Sequence, residues 1–174
     1  RGYFAASTNA VIVPWVLGVG RGTKKAAWAI ATGRYKADLS HRPEVIRGRI
    51  LEPVIASEWE KQRGQKLLPT PGTVTREGFE FICATTDRMT DRGSVWEAKS
   101  IGPWAKRDWA KGVPVAARVQ GHVQALLLAP DKPVCFAGLH LPDEDQRRVN
   151  PDDYDAEPLL WLDDAPDPKF REMI

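Results

Sequence analysis

Asp87 is separated by nine residues from the triplet Glu97-Ala98-Lys99. Along a strand, residues two apart share a face, so Glu97 and Lys99 project together while Trp96 and Ala98 face the other way. A hairpin turn at Thr90-Asp91-Arg92-Gly93 would lay Asp87 beside them, bringing two carboxylates and an ammonium together. Two carboxylate oxygens are what a hard Mg²⁺ ion takes from protein, with its other positions left to water and phosphate. A lysine alongside can orient the attacking water or help to stabilise its hydroxide form. The same pattern also suits a solvated hairpin with a cross-strand ion pair.

A third carboxylate adds to this. On a helix running from Glu44 to Arg63, positions 45, 48, 52, 55 and 59 share a face, occupied by Val45, Gly48, Glu52, Ile55 and Trp59. Glu52 therefore stands in an apolar stripe, where a carboxylate needs a cation or hydrogen-bond partners. Gly48, one turn earlier, leaves room for a backbone or a phosphate. The alternative is a buried ion pair with Arg49 or Arg88. A later helix carries Gln120 and Gln124, four apart and on one face. Paired amides can bond a phosphate oxygen, a water or a catalytic carboxylate, or simply face solvent.

The elements that must position these groups alternate in type. Ser7 caps a short helix from Thr8 to Val13, Thr23 caps another over Lys24–Thr32, and Pro43 opens the Glu52 helix, which Pro53 should bend. Strands are expected at 79–89 and 94–100 around the turn, and Gly102-Pro103 ends that unit. A helix follows from Pro114 to about Ala129, with Val115, Val119, His122, Val123 and Leu126 at helical spacing. Two more strands, 133–141 and 157–162, flank an acidic loop at 143–155, and 167–174 reads as the start of a helix. This is an α/β arrangement with a mixed sheet.

Composition narrows the partners. With 174 residues, 43% hydrophobic, the chain suits one domain over 1–174 with one sizeable core. Its 25 Lys+Arg and 23 Asp+Glu are unevenly spread. Residues 1–130 hold 20 basic and 11 acidic side chains, a balance of +9, and residues 131–174 hold 5 and 12, a balance of −7. The first region could meet a polyanion; the second could not. The longest apolar stretch, Ala10 to Val19, is broken by Pro14 and is too short to span a membrane. No secretory signal is visible, so the cytoplasm is the expected compartment. Cys83 and Cys135 lie far apart without a C-x-x-C, which disfavours zinc, an iron–sulfur cluster or a disulfide scaffold and points to buried thiols.

The order of Glu52 in R-G-R-I-L-E-P, Asp87, Glu97-x-Lys99 and then Gln120 six residues after Pro114 resembles the PD-(D/E)XK nucleases. More narrowly it is similar to the YqaJ-like viral recombinase family that includes phage lambda exonuclease. The likeness runs from about Gly2 to Leu141 and takes in Y-F-A-A-S-T-N-A, L-G-V-G-R-G-T and R-V-Q-G-H-V-Q. Arg118 and Ala117 depart from it, where relatives often carry a glutamine and an aromatic residue.

The resemblance implies a restriction-endonuclease-like core. It implies that Asp87, Glu97 and the Ala98 carbonyl bind Mg²⁺, for which Mn²⁺ could substitute, and that Glu52 binds or orients a second ion. Lys99 would activate water, Gln120 would hold the carboxylate network, and Ser7 would contact a terminal 5′-phosphate. Arg1 is the candidate for the arginine paired with that serine, one residue closer than in the family. The implied reaction is metal-assisted 5′→3′ hydrolysis of one strand of duplex DNA in a phage or prophage recombination system within a bacterial cell. Lys24, Lys25, Arg47, Arg49, Lys106, Arg107 and Lys111, interleaved with Trp104 and Trp109, then read as backbone contacts. Partners implied are duplex DNA ends, a single-strand annealing recombinase and a homotrimer. A related DNA endonuclease and a non-catalytic DNA-binding module on the same scaffold are the alternatives.

Overall fold

A computed structural model of the chain describes residues 4–5, 25, 28–29, 32, 34, 40–70, 72–79, 82–140 and 160–166. The elements in order are β1 (Phe4–Ala5), α1 (Pro43–Arg63), β2 (Leu67–Pro69), β3 (Ile82–Cys83), β4 (Arg88–Thr90), β5 (Val95–Ile101), α2 (Pro103–Trp109), α3 (Val115–Leu128), β6 (Val134–His140) and β7 (Leu160–Asp164). Residues 25, 28 and 29 are helical, within the helix expected at 24–32. Arg1, Ser7, Thr23, the 143–155 loop and residues 167–174 lie outside the described residues, as do the side chains of Lys24, Trp104 and Lys106.

Five strands form a mixed sheet in the order β2-β4-β5-β6-β7, parallel only between β5 and β6. Parallel neighbours bury both faces, and the alternation along β5 and β6 follows from that. Trp96, Ala98, Cys135, Ala137 and Leu139 pack against Ile55, Ala56 and Trp59 of α1. From the other face, Val95, Ile101, Val134 and Phe136 meet Ala117 and Ala125 of α3. Each large apolar side chain buried this way stabilises the fold by about 1.5–3 kcal/mol.

Both long helices begin and end as their sequences dictate. Pro43 occupies the first turn of α1, and Gly64 closes it in the left-handed conformation (φ 61°), its N–H donating to the Glu60 carbonyl. The helix runs through Pro53 without a break. On α3, Gly121 is required by close approach: a β-carbon there would meet Phe136 Cζ at 2.6 Å and Val134 Cγ1 at 2.7 Å. No helix among the described residues is long and apolar enough to cross a membrane.

Four expectations are corrected. Residues 79–89 do not form one strand: Ile82–Cys83 pair in parallel with β1, Ala84 bridges Val74, and only Arg88 and Met89 pair with β5. The run is rich in strand-forming residues throughout, but its partners change along it. Gly102-Pro103 does not merely end a unit. Pro103, with its fixed φ, opens α2. Trp109 at the end of that helix is buried against the α3 face of the sheet, so it belongs to the core and not to a DNA-contacting surface. The last strand reaches Asp164 instead of ending at Leu162, because Asp163 and Asp164 are paired with Arg63 and Arg118. Of the cysteines, both free, Cys135 is buried and Cys83 only half-buried. Burial, and next the Asp163 carboxylate, push the Cys135 thiol up to about 12, so it is inert.

Candidate active site

The antiparallel β4–β5 ladder ends at Arg88 opposite Trp96. One residue before it, Asp87 leaves the ladder, and its Oδ2 accepts the backbone N–H of Ala98 at 2.8 Å. A side chain thus replaces the main-chain acceptor that β4 would have supplied, and this ties Asp87 beside Glu97. The three-residue tip between Thr90 and Ser94 sets the register: Thr90 N–H donates to the Ser94 carbonyl, and Gly93 takes the φ of 81° that the turn requires.

Glu97 is only 2% exposed, and donors surround it. Its Oε1 receives Lys99 Nζ and Gln120 Nε2, each at 2.5 Å, and its Oε2 receives Gln124 Nε2 at 2.9 Å. Lys99 Nζ also donates to Gln120 Oε1 at 3.3 Å. Gln124 Nε2 uses its other hydrogen on the Thr85 carbonyl at 2.9 Å. These contacts settle both amide orientations, since a flip would set an acceptor oxygen against Glu97 in each case. One buried carboxylate thus receives an ammonium and two amides that stand four residues apart on α3.

Asp87 is in a different electrostatic state. Burial, and next the charge of Glu97, push its carboxyl up to about 7, against the opposing pull of Lys99 and the Ala98 N–H; Glu52 adds a smaller upward push.

Glu52 approaches from α1, across the open edge that β4 leaves along β5. Adjacent strand residues point to opposite faces, so Arg88 lies on the α1 side of the sheet, opposite Trp96. There its Nε lies 3.4 Å from Glu52 Oε1, an ion pair by distance without hydrogen-bond alignment. Of the two readings of Glu52, an ion pair with Arg88 is therefore present. Val45, Gly48, Arg49, Glu52 and Ile55 of α1 line a cavity of about 300 Å³ together with Asp87, Glu97, Ala98, Lys99 and Ser100. A β-carbon on Gly48 would meet nothing within 4 Å, so this part of the helix stands over open space.

Among the described residues no three carboxylates, histidines or cysteines are drawn into a closed metal cage. The donors present are two carboxylates on one cavity wall with a main-chain segment at Ala98 beside them. That set suits Mg²⁺, which keeps several waters and takes one or two protein carboxylates.

The structure thus brings Glu52, Asp87, Glu97, Ala98 and Lys99 to one cavity and places Gln120 on Glu97. The sequence pairs Gln124 with Gln120 on one helix face and offers a catalytic carboxylate as one partner for such amides; the structure buries Gln124 and sets it on Glu97. The sequence offers Arg88 only as a partner for Glu52, and the structure places it there. Among the basic residues, Lys25, Arg49, Arg107 and Lys111 are exposed and Arg47 is half-buried.

No protein-family model matches the sequence, and no curated protein matches it. Solved structures do. An alkaline exonuclease (LHK-Exo) from Laribacter hongkongensis matches with a TM-score of 0.67 at 17% identity, over 99% of this chain and 82% of that one. The structure of LHK-Exo in complex with dAMP matches with a TM-score of 0.69 at 16% identity and the same coverage. A phage-related exonuclease from Haemophilus somnus 129PT matches with a TM-score of 0.66 at 13% identity, over 98% and 87%. The five-stranded mixed sheet flanked by helices is the α/β fold of those exonucleases.

Proposed function

We propose that the chain is a divalent-cation-dependent deoxyribonuclease that digests duplex DNA from its ends in the 5′→3′ direction. The observation that carries this reading is Glu97, buried and gripped by Lys99, Gln120 and Gln124, with Asp87 beside it in one cavity. The fold shared with exonucleases supports it.

In this reading Asp87, Glu97 and the Ala98 carbonyl hold Mg²⁺, or Mn²⁺ in its place, with Glu52 alongside. When bound, the ion supplies charge neutralisation at the scissile phosphate and acidifies water. The protein does the rest. Lys99, fixed by Glu97 and Gln120, orients the attacking water and stabilises negative charge as it develops. Gln120 and Gln124 keep Glu97 in one rotamer. Ser7 and Arg1 receive the terminal 5′-phosphate, and Lys25, Arg47, Arg49, Arg107 and Lys111 meet the duplex backbone. Action in a bacterial cytoplasm, in phage or prophage recombination, as a trimer and beside a single-strand annealing recombinase, belongs to the same reading.

Incubation with linear 5′-phosphorylated duplex and Mg²⁺ should release nucleotides, and Lys99→Ala should abolish release while the protein stays folded. Equal activity of Lys99→Ala would refute its assignment. Cutting of closed circular DNA would make the chain an endonuclease, and retention of DNA without cleavage in Mg²⁺ or Mn²⁺ would make it a binding module.

A further inference from the structure

We infer that Arg88 takes the place of a second divalent cation beside Glu52, so that the cavity holds one such ion, on Asp87 and Glu97. The inference rests on the proposed nuclease reading and concerns how many cations its site accepts. Three observations carry it.

First, Glu52 already has a cation. Arg88 Nε is 3.4 Å from its Oε1, and both side chains are partly shielded at 30% exposure. A guanidinium stays charged at any working pH, so this compensation is permanent. A divalent ion on Glu52 would sit against a fixed positive charge at short range and would be repelled by it.

Second, basic groups already accompany the carboxylates: among the described residues Arg49 and Lys99 line the cavity with Glu52, Asp87 and Glu97, and Arg88 stands beside Glu52. One divalent ion shared by Asp87 and Glu97 leaves an excess that the scissile phosphate can neutralise. Two would leave a larger one.

Third, the sheet separates the carboxylates into a pair and a single. Asp87 and Glu97 are joined through neighbouring backbone, whereas Glu52 meets the α1-side residue Arg88, and the three form no common cage among the described residues. The dipeptide Asp87-Arg88 therefore serves two sites by strand alternation: its acid faces the cation, and its base faces Glu52.

Counting bound Mn²⁺ by electron paramagnetic resonance tests this without reference to cleavage. The wild-type chain should bind one ion, Arg88→Lys should still bind one, and Arg88→Met, which keeps bulk and removes charge, should bind two. The second ion should disappear again in Arg88→Met combined with Glu52→Gln. Two ions on the wild-type protein, or one on Arg88→Met, would overturn the inference and leave the nuclease reading standing. No ion on the wild-type protein would overturn both. If circular dichroism shows that Arg88→Met does not fold, Glu52→Gln alone decides: it should keep its single ion, and losing it would show that Glu52 is itself the ligand.

Discussion

Gln124 lies wholly inside the protein and donates to Glu97 Oε2 at 2.9 Å, so a buried amide on α3 supports the carboxylate on β5 from the side opposite Lys99 and Gln120. Among the described residues its own Oε1 finds no hydrogen-bond partner, while its Nε2 serves both Glu97 and the Thr85 carbonyl. The geometry favours positioning over a balanced hydrogen-bond set, as is common where a reacting group must be kept still.

Gln124→Leu should therefore have two separable effects. Losing a donor to a buried carboxylate oxygen should cost about 1–3 kcal/mol in urea unfolding. Freed on one side, Glu97 can shift, and misplacement on the order of 1 Å lowers turnover by about 10²-fold. Nuclease assays below the unfolding transition should show the loss in kcat with little change in KM. Unchanged kcat would remove Gln124 from the positioning network.

The Asp87 carboxyl gives a signed pH dependence. Its value of about 7 in the folded chain exceeds the ordinary 3.8, so between these the folded state binds the extra proton. Stability without divalent cations should then fall as pH rises from about 4 through 7, with a slope of at most about 1.4 kcal/mol per pH unit. Asp87→Asn should flatten that part of the profile. A cation displaces the proton, so Mg²⁺ affinity should rise with pH to about 7 and level off above it. Unfolding midpoints against pH in EDTA and in Mg²⁺ check both statements.

How much of this was legible in the residues depended on the range of the interaction involved. Asp87, Glu97 and Lys99 follow from strand periodicity and one glycine turn, and the Gln120–Gln124 pair follows from helical spacing; both are local rules. What failed was non-local. Nothing within 79–89 tells that Ile82 will pair with Phe4 instead of continuing the hairpin. Asp163 and Asp164 look like loop residues until Arg63 and Arg118, far away in sequence, neutralise them. The sequence puts Trp109 at the surface because α2, which turns it inward, hides behind a glycine–proline pair that usually ends an element. The partner of Glu52 was open between two arginines until the sheet put Arg88 on the α1 side.

Gly121 ties packing to the site. With Phe136 Cζ and Val134 Cγ1 at 2.6 and 2.7 Å from the place of its missing β-carbon, Gly121→Ala must push α3 away from β6. Overpacking of this kind costs about 1–3 kcal/mol. The same movement would draw the neighbouring Gln120 off Glu97. Phe136→Leu in the Gly121→Ala background should recover part of both stability and activity, a coupling that a double-mutant cycle measures directly.

The last strand is anchored to the same helix by a polar cluster. Asp164 Oδ2 accepts Arg118 Nε at 2.5 Å and His122 Nε2 at 2.9 Å, and the imidazole is fully buried. A carboxylate can only accept, so the His122 proton facing it must sit on Nε2 whether the ring is neutral or charged. Removing Asp164 leaves a guanidinium and a buried N–H facing each other without their shared acceptor. Breaking a fully buried pair costs about 3–5 kcal/mol, and the partial exposure of Arg118 and Asp164 brings the expectation for Asp164→Ala down to about 1–3 kcal/mol. Because Arg118 and His122 flank Gln120 on α3, the loss should extend beyond β7. Hydrogen exchange should quicken at 134–138 of β6, where β7 pairs, and also in α3 around Gln120. Quickening confined to the strands would show that α3 holds its glutamines on Glu97 without help from Asp164.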